Sequence, residues 1–216
     1  MRAARLHEIG GTPQVDEVEP PAGGEILEVA VAGLNPVDIT IGNGRFYGGV
    51  PDTPYVIGSE AVGRTRAGRR LWYYARGLMA EQAVIEAPDH AVEVPDGVSD
   101  ELAAACGVAG LTGWLAVAWR AAVTPDDTVL VLGASGSLGG TAVQGAKLLG
   151  AKRVIGAARR TENVPEQADE IVRIDGSETY PAATVIVDGL WGHPIERALA
   201  AAANGVRVVQ LGNIYT

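Results

Sequence analysis

One stretch of the sequence, TVLVLGASGSLGGTAVQGAKLLGA from Thr128 to Ala151, restricts the fold of this chain more than any other. It begins with branched apolar residues, passes through a cluster of glycines, and ends in a segment that places Leu138, Ala142, Ala146 and Leu149 on one helical face. This order predicts a buried strand, a tight turn and a helix. A strand that leads directly into a helix is the first half of a βαβ unit and favours a parallel sheet.

The sequence after this stretch alternates between the same two patterns. Strands are predicted at TVLVLG, RVIGAA, EIVRI, TVIVDG and VRVVQLG, and helices at SLGGTAVQGAKLLG and PIERALAAAAN. The connection RRTENVPEQAD is too short, and too interrupted by proline, for a full helix. Continuous apolar strands separated by helices predict an α/β domain with a doubly wound parallel sheet, buried on both faces.

The first half of the chain has a different pattern, in which short strands and turns dominate. EILEVAVAGL alternates as a half-buried strand does, between the turn-like EPPAGG and NPVD, and LMAEQAVIEA and HAVEVP are further extended candidates. Glycine and proline in IGNGRFYGGVPDTP indicate a loop or the irregular wall of a site. At SDELAAA, Ser99 is the predicted N-cap of a helix through the alanine-rich run that follows. This half is therefore predicted to be β-rich.

Composition and charge limit the partners that the chain is expected to bind and the compartment in which it is expected to work. The chain has 216 residues and a formal net charge of −9, which argues against a nucleic-acid partner because phosphate binding needs clustered Lys and Arg. A single cysteine, Cys106, forms no internal disulfide, and the start MRAARLHEIGG lacks the apolar core of a signal peptide, so a cytoplasmic protein is expected. Residues 102–119 form an uncharged run of nearly bilayer length, but its many Ala and Gly side chains favour a buried helix over a membrane span.

The glycine cluster matches the dinucleotide-binding fingerprint, with alanine at the first glycine position. The matching residues are Ala134, Ser135, Gly136, Ser137, Leu138 and Gly139. In such a turn the first small residue permits the sharp bend, Gly136 lets the backbone approach a pyrophosphate, and Gly139 lets the helix lie close to the strand. The helix N-terminus then offers free N–H groups to the phosphates. A structural turn without a ligand is the alternative.

The residue about 20 positions beyond the last fingerprint glycine selects the nucleotide, because an acid there accepts the ribose hydroxyls and a base accepts a 2′-phosphate. Here that residue is Arg159, and Arg160 follows it. A guanidinium fork suits a phosphate group, so NADP(H) is favoured over NAD. The alternative is that both arginines are simply solvated residues of a loop.

With these motifs in view, the whole chain resembles the medium-chain dehydrogenase/reductase superfamily, and within it the zinc-independent quinone oxidoreductase branch. The resemblance runs in family order through VAGLNPVDITI, PYVIGSEAVG, ACGVAGLTGWLA, the glycine cluster and VRVVQLGN. It implies a GroES-like β-rich catalytic domain at residues 1–105 and a Rossmann dinucleotide-binding domain at residues 106–216. Family members continue beyond VRVVQLGN with a sixth sheet strand and a return to the first domain, so the Rossmann domain is expected to lack both.

The metal ligands of the zinc-dependent relatives are missing. Those relatives carry a Gly-His-Glu element, whereas this chain has Ser59 between Gly58 and Glu60. With one cysteine and three scattered histidines, neither a catalytic nor a structural zinc site can be assembled. We therefore expect no metal.

The resemblance implies hydride transfer from NADPH to a small-molecule acceptor, either a quinone or an α,β-unsaturated carbonyl. It places Asn35 and Asp38 at the wall of the active site, with Asn35 near the nicotinamide, although Asp38 could simply hold its loop. Thr112, Gly212 and Asn213 match positions near the cofactor. Tyr47 is the favoured proton donor, ahead of Tyr73 and Tyr74, and packing or rim roles are the alternative for each tyrosine.

Two further expectations follow from the resemblance. Relatives form dimers through the missing strand, so a homodimer with a different interface is left open. The rival to an enzyme is an NADP(H)-binding sensor, or a structural homologue, that binds the nucleotide without turnover.

Overall fold

The computed structural model describes residues 1–212. Its contacts divide the chain into two compact units, the first comprising Met1–Val108 and the second beginning at Ala109. The first unit is built from antiparallel sheets and the second from a parallel sheet with helices. The predicted α/β class, with a β-rich part followed by a doubly wound part, is confirmed.

The first unit contains eight strands and two short α-helices among the described residues. In chain order these are β1 (Arg2–Leu6), β2 (Gln14–Glu17), β3 (Glu25–Gly33), α1 (Pro36–Gly42), β4 (Tyr55–Val56), β5 (Glu60–Thr65), β6 (Arg70–Tyr74), β7 (Gln82–Ile85), β8 (Ala91–Glu93) and α2 (Asp100–Ala105). A small sheet has the order β2-β1-β4, and a larger one has the order β7-β3-β5-β6-β8. Leu27, Leu71 and Tyr73 are buried at the centre of the larger sheet's core.

Helix α1 forms where the sequence pattern predicts only a turn, at NPVD, and it ends as the predicted loop IGNGRFYGGVPDTP begins. Asn35 is its N-cap, Pro36 occupies the first turn, and the carboxylate of Asp38 accepts the backbone N–H of Asn35 at 2.7 Å. An N-cap asparagine followed by proline and, three residues on, by an acid is a helix-start pattern, since each group satisfies or removes a free backbone donor. The glycines that follow hid this signal.

The second unit is a five-stranded sheet with helices. Its elements are α3 (Leu111–Leu115), β9 (Thr128–Leu132), α4 (Ser137–Leu148), β10 (Arg153–Ala158), β11 (Glu170–Arg173), β12 (Val185–Asp188), α5 (His193–Ala201) and β13 (Arg207–Gln210). All neighbouring strands are parallel, in the order β11-β10-β9-β12-β13. The five predicted strands and both predicted helices are present, and only a single 3₁₀ turn, Thr161–Asn163, lies between β10 and β11.

Side chains on the two faces of β9 show why this sheet is covered on both sides. Val129 and Val131 belong to one core cluster, together with Ala142 and Ala146 of α4. Leu130 and Leu132 belong to a second cluster, together with Ile195 and Ala198 of α5. Because successive strand residues point to opposite faces, an uninterrupted apolar strand buries both sets.

The alanine-rich run is helical but kinked. Ser99 caps α2 through a hydrogen bond from the Leu102 N–H at 3.1 Å, as predicted, and Gly107 then leaves helical geometry with ψ −123°. The whole segment Asp100–Arg120 is long and apolar enough, by length and composition, to cross a membrane. Its residues Ala116 and Val117 are nevertheless fully buried in the core of the second unit, as in a core helix.

Asp127 joins the amino ends of three strands of the second unit through hydrogen bonds. We therefore expect the stability of this unit to depend on pH in the acid range. Its carboxylate accepts hydrogen bonds from the Thr124 backbone N–H at 2.7 Å, from the Thr184 hydroxyl at 2.8 Å and from Arg207. Burial acts to raise the pKa of Asp127, but these hydrogen bonds outweigh it and lower the pKa to about 2 from an ordinary value of 3.8. Because the folded-state pKa is depressed, the stabilisation is present above pH 3.8 and is lost as the pH falls toward 2.

We expect urea unfolding to show a loss of about 1–2 kcal/mol from this group between roughly pH 4 and pH 2. In Asp127→Asn that part of the pH dependence should disappear, while the variant is already less stable at neutral pH. Parallel stability curves for the two proteins would show that Asp127 does not contribute in this way.

Candidate functional site

The turn between β9 and α4 is closed by the backbone alone. The N–H groups of Gly133 and Ala134 both donate to the carbonyl of Ala157, at 2.9 and 3.0 Å, and Gly136 N–H donates to Gly133 O at 3.0 Å. Gly133 has φ +86°, a conformation that a side chain disfavours. The sharp bend thus depends on Gly133, one position before the fingerprint's first residue, which the sequence analysis did not single out.

Different constraints favour glycine at the two fingerprint positions, Gly136 and Gly139. A Cβ added to Gly139 would lie 2.8 Å from the Gly133 carbonyl carbon and 2.9 Å from Ala134 Cα, so close packing of α4 on the turn requires glycine there. A Cβ added to Gly136 would meet only Gly133 O at 3.5 Å, an ordinary contact, and the φ of Gly136 is −90°. Packing among the described residues therefore does not explain Gly136, whereas close approach of a ligand would.

The exposed end of α4 has the properties of an anion site. Gly136 is the N-cap and, among the described residues, no side chain caps the helix. Gly136 and Ser137 are exposed, while Ser135 and Leu138 are half-buried and Ala134 is fully buried. A twelve-residue helix presents N–H groups and a partial positive charge at this end. These features fit a pyrophosphate.

The remaining predicted cofactor residues of the second unit are distributed around the sheet. Arg159 and Arg160 are exposed and follow β10 directly, at the same carboxyl edge as the turn after β9. Thr112 lies half-buried in α3, the helix that packs on α4. Gly212 follows β13, where an added Cβ would lie 2.6 Å from Gly189 O, and Asn213 lies outside the described residues. The structure thus gathers the fingerprint, the two arginines and Gly212 at the carboxyl edge of the sheet.

The carboxyl end of β12 carries a feature that the sequence analysis missed. The Asp188 side chain is completely buried and accepts the backbone N–H groups of Leu190 and Trp191, the former at 2.9 Å. Trp191 has φ +66° and is 48% exposed. Strand order reverses between β9 and β12, which is where open α/β sheets bind ligands. Asp188 therefore fixes an unusual loop at that position.

In the first unit, Asn35 and Asp38 are brought together with a third residue, Glu60. The Asn35 amide donates to Glu60 Oε1 at 2.6 Å. Glu60 Oε2 accepts the Trp72 indole N–H and the Val108 backbone N–H, each at 2.8 Å. Glu60 is only 1% exposed. The carboxylate of Asp38 holds the start of α1, which agrees with the structural alternative for that residue.

The surroundings of Glu60 are shaped by glycines. A Cβ at Gly33 would lie 2.8 Å from Glu60 Cγ, and one at Gly107 would overlap both Glu60 Oε2 and the Trp72 ring. The kink at Gly107 therefore lets the chain pass close enough for the Val108 N–H to reach the carboxylate. Glu60 fixes the orientation of Asn35 and is a functional candidate that the sequence analysis quoted without assigning a role.

The three candidate tyrosines lie in different environments. Tyr47 is 98% exposed, and its ring lies 4.8 Å from that of Phe46. Tyr73 is buried, and its hydroxyl accepts the backbone N–H groups of Glu86 and Ala87, at 3.1 and 3.3 Å. Tyr74 is 45% exposed and stacks near Trp72. Tyr73 thus has a structural role, while a proton-donor role for Tyr47 remains a prediction.

Comparison with known proteins places this geometry in a family. No family model matches the chain. Its structure superposes on the quinone oxidoreductase of Thermus thermophilus, which was also determined in complex with NADPH, with a TM-score of 0.83, 31% sequence identity, and coverage of 97% of this chain and 73% of that one. The chain belongs to the quinone oxidoreductase-like branch of the medium-chain dehydrogenase/reductase superfamily. Human quinone oxidoreductase is 29% identical over 99% of this chain and 73% of its own length.

Other relatives of this quinone oxidoreductase-like chain are much longer. A phenolphthiocerol/phthiocerol polyketide synthase of Mycobacterium tuberculosis is 31% identical over 98% of this chain, but the match covers 10% of that protein. The chain therefore spans about a tenth of this curated relative and about three quarters of the human enzyme.

The quinone oxidoreductase-like chain has Ser59 where zinc-dependent members of the superfamily have histidine. Within residues 1–212, no three His, Cys, Asp or Glu side chains are grouped so that they could hold a metal ion. Ser59 is 5% exposed and lies beside Glu60 at the start of β5.

Proposed function

We propose that this chain is an NADP(H)-dependent, zinc-independent oxidoreductase that reduces a quinone or an α,β-unsaturated carbonyl. The observation that carries the proposal is the turn from Gly133 to Gly139, in which Gly136 leaves open the approach to an uncapped helix end. NADPH supplies the hydride. The protein's contribution is to bind and orient the nucleotide and to hold the acceptor oxygen.

The residues of the second unit suit the nucleotide's phosphates. The Ser135–Gly139 segment and the first turn of α4 are suited to the pyrophosphate, because backbone N–H groups and the helix dipole both favour negative charge. Arg159 and Arg160 carry the positive charge that a 2′-phosphate requires. The NADPH complex of the Thermus relative supports this choice of cofactor.

Substitution of Arg159 tests the nucleotide preference. We expect Arg159→Ala to lower the NADPH-to-NADH affinity ratio by about ten- to hundredfold, because one charge-assisted contact of roughly 1.5–3 kcal/mol is lost. Nicotinamide fluorescence in paired titrations measures both affinities. Arg64→Ala, which removes an exposed arginine of the first unit, is the control and should leave the ratio unchanged. An unchanged ratio in Arg159→Ala would remove the phosphate role of this residue.

Of the two candidate acceptors, the polyketide synthase match favours the unsaturated carbonyl over the quinone, because polyketides are carbonyl-bearing carbon chains. NADPH consumption with 1,4-naphthoquinone and with an unsaturated thioester such as crotonyl pantetheine separates the two acceptors. Tight NADPH binding without NADPH consumption in the presence of either acceptor would instead favour the sensor.

We further propose a cytoplasmic protein that acts on a small molecule without a nucleic-acid or membrane partner. A homodimer remains a prediction.

A further inference from the structure

The loop between β12 and α5 holds a tryptophan in a backbone conformation that suits glycine. Trp191 has φ +66°, and among residues 1–212 only Ala122 is another non-glycine residue with a positive φ. This left-handed region is strained for a bulky side chain. Trp191 is also 48% exposed and belongs to neither core cluster of the second unit. Neither the backbone nor core packing therefore favours an indole at this position.

The surrounding structure holds Trp191 in this conformation. The completely buried Asp188 accepts the Leu190 N–H at 2.9 Å and the Trp191 N–H at 3.1 Å. The next residue, Gly192, is also left-handed, with φ +68°, and is the N-cap of α5. A strained residue persists only where its surroundings impose its conformation, and such residues cluster at ligand sites. The strain at Trp191 therefore points to a ligand that the indole contacts.

The loop lies beside the proposed dinucleotide turn. Strand β12 is parallel to β9, with Asp188 opposite Leu132, so the two strands end at the same edge of the sheet. A Cβ added to Gly133 would lie 3.1 Å from Leu190 Cδ2, so the loop packs against the turn after β9. Strand order reverses between these two strands, and open α/β sheets bind ligands in the crevice at that point. Trp191 is thus one strand away from the turn proposed for the pyrophosphate.

We propose that the Trp191 indole stacks on a planar ring of the bound nucleotide. The inference rests on the proposed function, because it needs a dinucleotide at the turn after β9. A dinucleotide carries an aromatic ring on each side of its pyrophosphate, and neighbouring strands are only about 4.8 Å apart, so a flat side chain on the adjacent loop is placed to contact one ring. Stacking covers the exposed part of the indole and offsets the strain of the left-handed backbone.

Trp191→Gly tests the stacking while it preserves the loop. Glycine adopts the same φ without strain, and this gain opposes the loss of indole packing, so the thermal unfolding midpoint should stay within roughly 3 °C. The NADPH affinity of the 216-residue chain, measured by isothermal titration calorimetry, should fall by about five- to hundredfold, the effect of removing one aromatic side chain that stacks on a base. Trp191→Phe keeps a flat ring and should bind NADPH within about threefold of the unsubstituted chain.

A second exposed tryptophan of the same unit provides the matched control. Trp119 is 61% exposed, and the Arg120 guanidinium lies 4.0 Å from the centre of its ring. Trp119→Ala should leave NADPH affinity unchanged. A second ligand, 2′-phospho-ADP-ribose, lacks the nicotinamide and distinguishes the two rings. An equal loss of affinity for this ligand and for NADPH in Trp191→Gly would assign the stacking to the adenine, and a loss for NADPH alone would assign it to the nicotinamide.

The outcomes separate this inference from the proposed function. NADPH affinity that is unchanged in Trp191→Gly, or lowered equally in Trp119→Ala, overturns the stacking and leaves the proposed nucleotide site in place. Absence of NADPH binding by the unsubstituted chain overturns both proposals. The expected loss in Trp191→Gly, together with an absence of NADPH consumption in the presence of either acceptor, supports the stacking and counts against the proposed reaction.

Discussion

Replacing Gly136 with alanine is expected to weaken NADPH binding by about ten- to hundredfold, the equivalent of one lost charge-assisted contact of roughly 1.5–3 kcal/mol. The expectation follows from the space around Gly136: an added Cβ meets only Gly133 O at 3.5 Å, and φ is −90°, so the fold accepts a methyl group. That methyl group would point into the approach to the helix end. The thermal unfolding midpoint should change by no more than roughly 2 °C.

Substitutions at two neighbouring glycines, Gly140 and Gly139, serve as comparisons for this result. At Gly140 an added Cβ meets Pro165 Cγ at 3.5 Å and sits within α4, so Gly140→Ala should stabilise the chain through helix propensity and leave NADPH affinity unchanged. Gly139→Ala should lower the unfolding midpoint, because its Cβ would overlap the Gly133 carbonyl. Nicotinamide fluorescence and thermal unfolding measure both properties. Unchanged affinity in Gly136→Ala would mean that this glycine serves only the turn.

The second unit could be predicted almost entirely from the sequence, because its information is local. Each strand from β9 to β13 contains a short run of branched apolar residues, and each predicted helix has its own periodicity and boundary residues. The role of Gly139 also follows from its spacing to the preceding strand. Gly133 and Asp188 were not singled out, and the burial of Asp188 depends on the loop that folds back onto it after β12.

The first unit was less predictable because its important contacts join distant residues. Glu60 receives hydrogen bonds from residues 25, 12 and 48 positions away, and no local pattern contains them. Helix α1 did have a local signal, namely Asn35, Pro36 and Asp38 at capping positions, and the glycine-rich sequence after it obscured that signal.

Glu60 is expected to be the most sensitive single position of the first unit. Glu60→Ala would leave three donors without this acceptor: the buried Asn35 amide and the partly buried Trp72 indole and Val108 N–H. Each such group costs roughly 1–3 kcal/mol, and partial relaxation makes the expected total loss of unfolding free energy on the order of 3–5 kcal/mol. Glu60→Gln should lose about half as much, because its amide keeps one acceptor oxygen and turns an N–H₂ group toward a donor.

Urea unfolding measures these losses, and Glu28→Gln is the matched control. Glu28 lies on β3 in the same sheet, but its carboxylate is exposed and accepts, among the hydrogen bonds of the described residues, from the half-buried Gln82, so its loss should stay within about 0.5 kcal/mol. Stability of Glu60→Gln equal to that of the unsubstituted chain would show that the three donors have other acceptors. A graded loss from Glu28→Gln through Glu60→Gln to Glu60→Ala would instead establish the buried carboxylate as the group that fixes Asn35, α1 and the Gly107 kink in one arrangement.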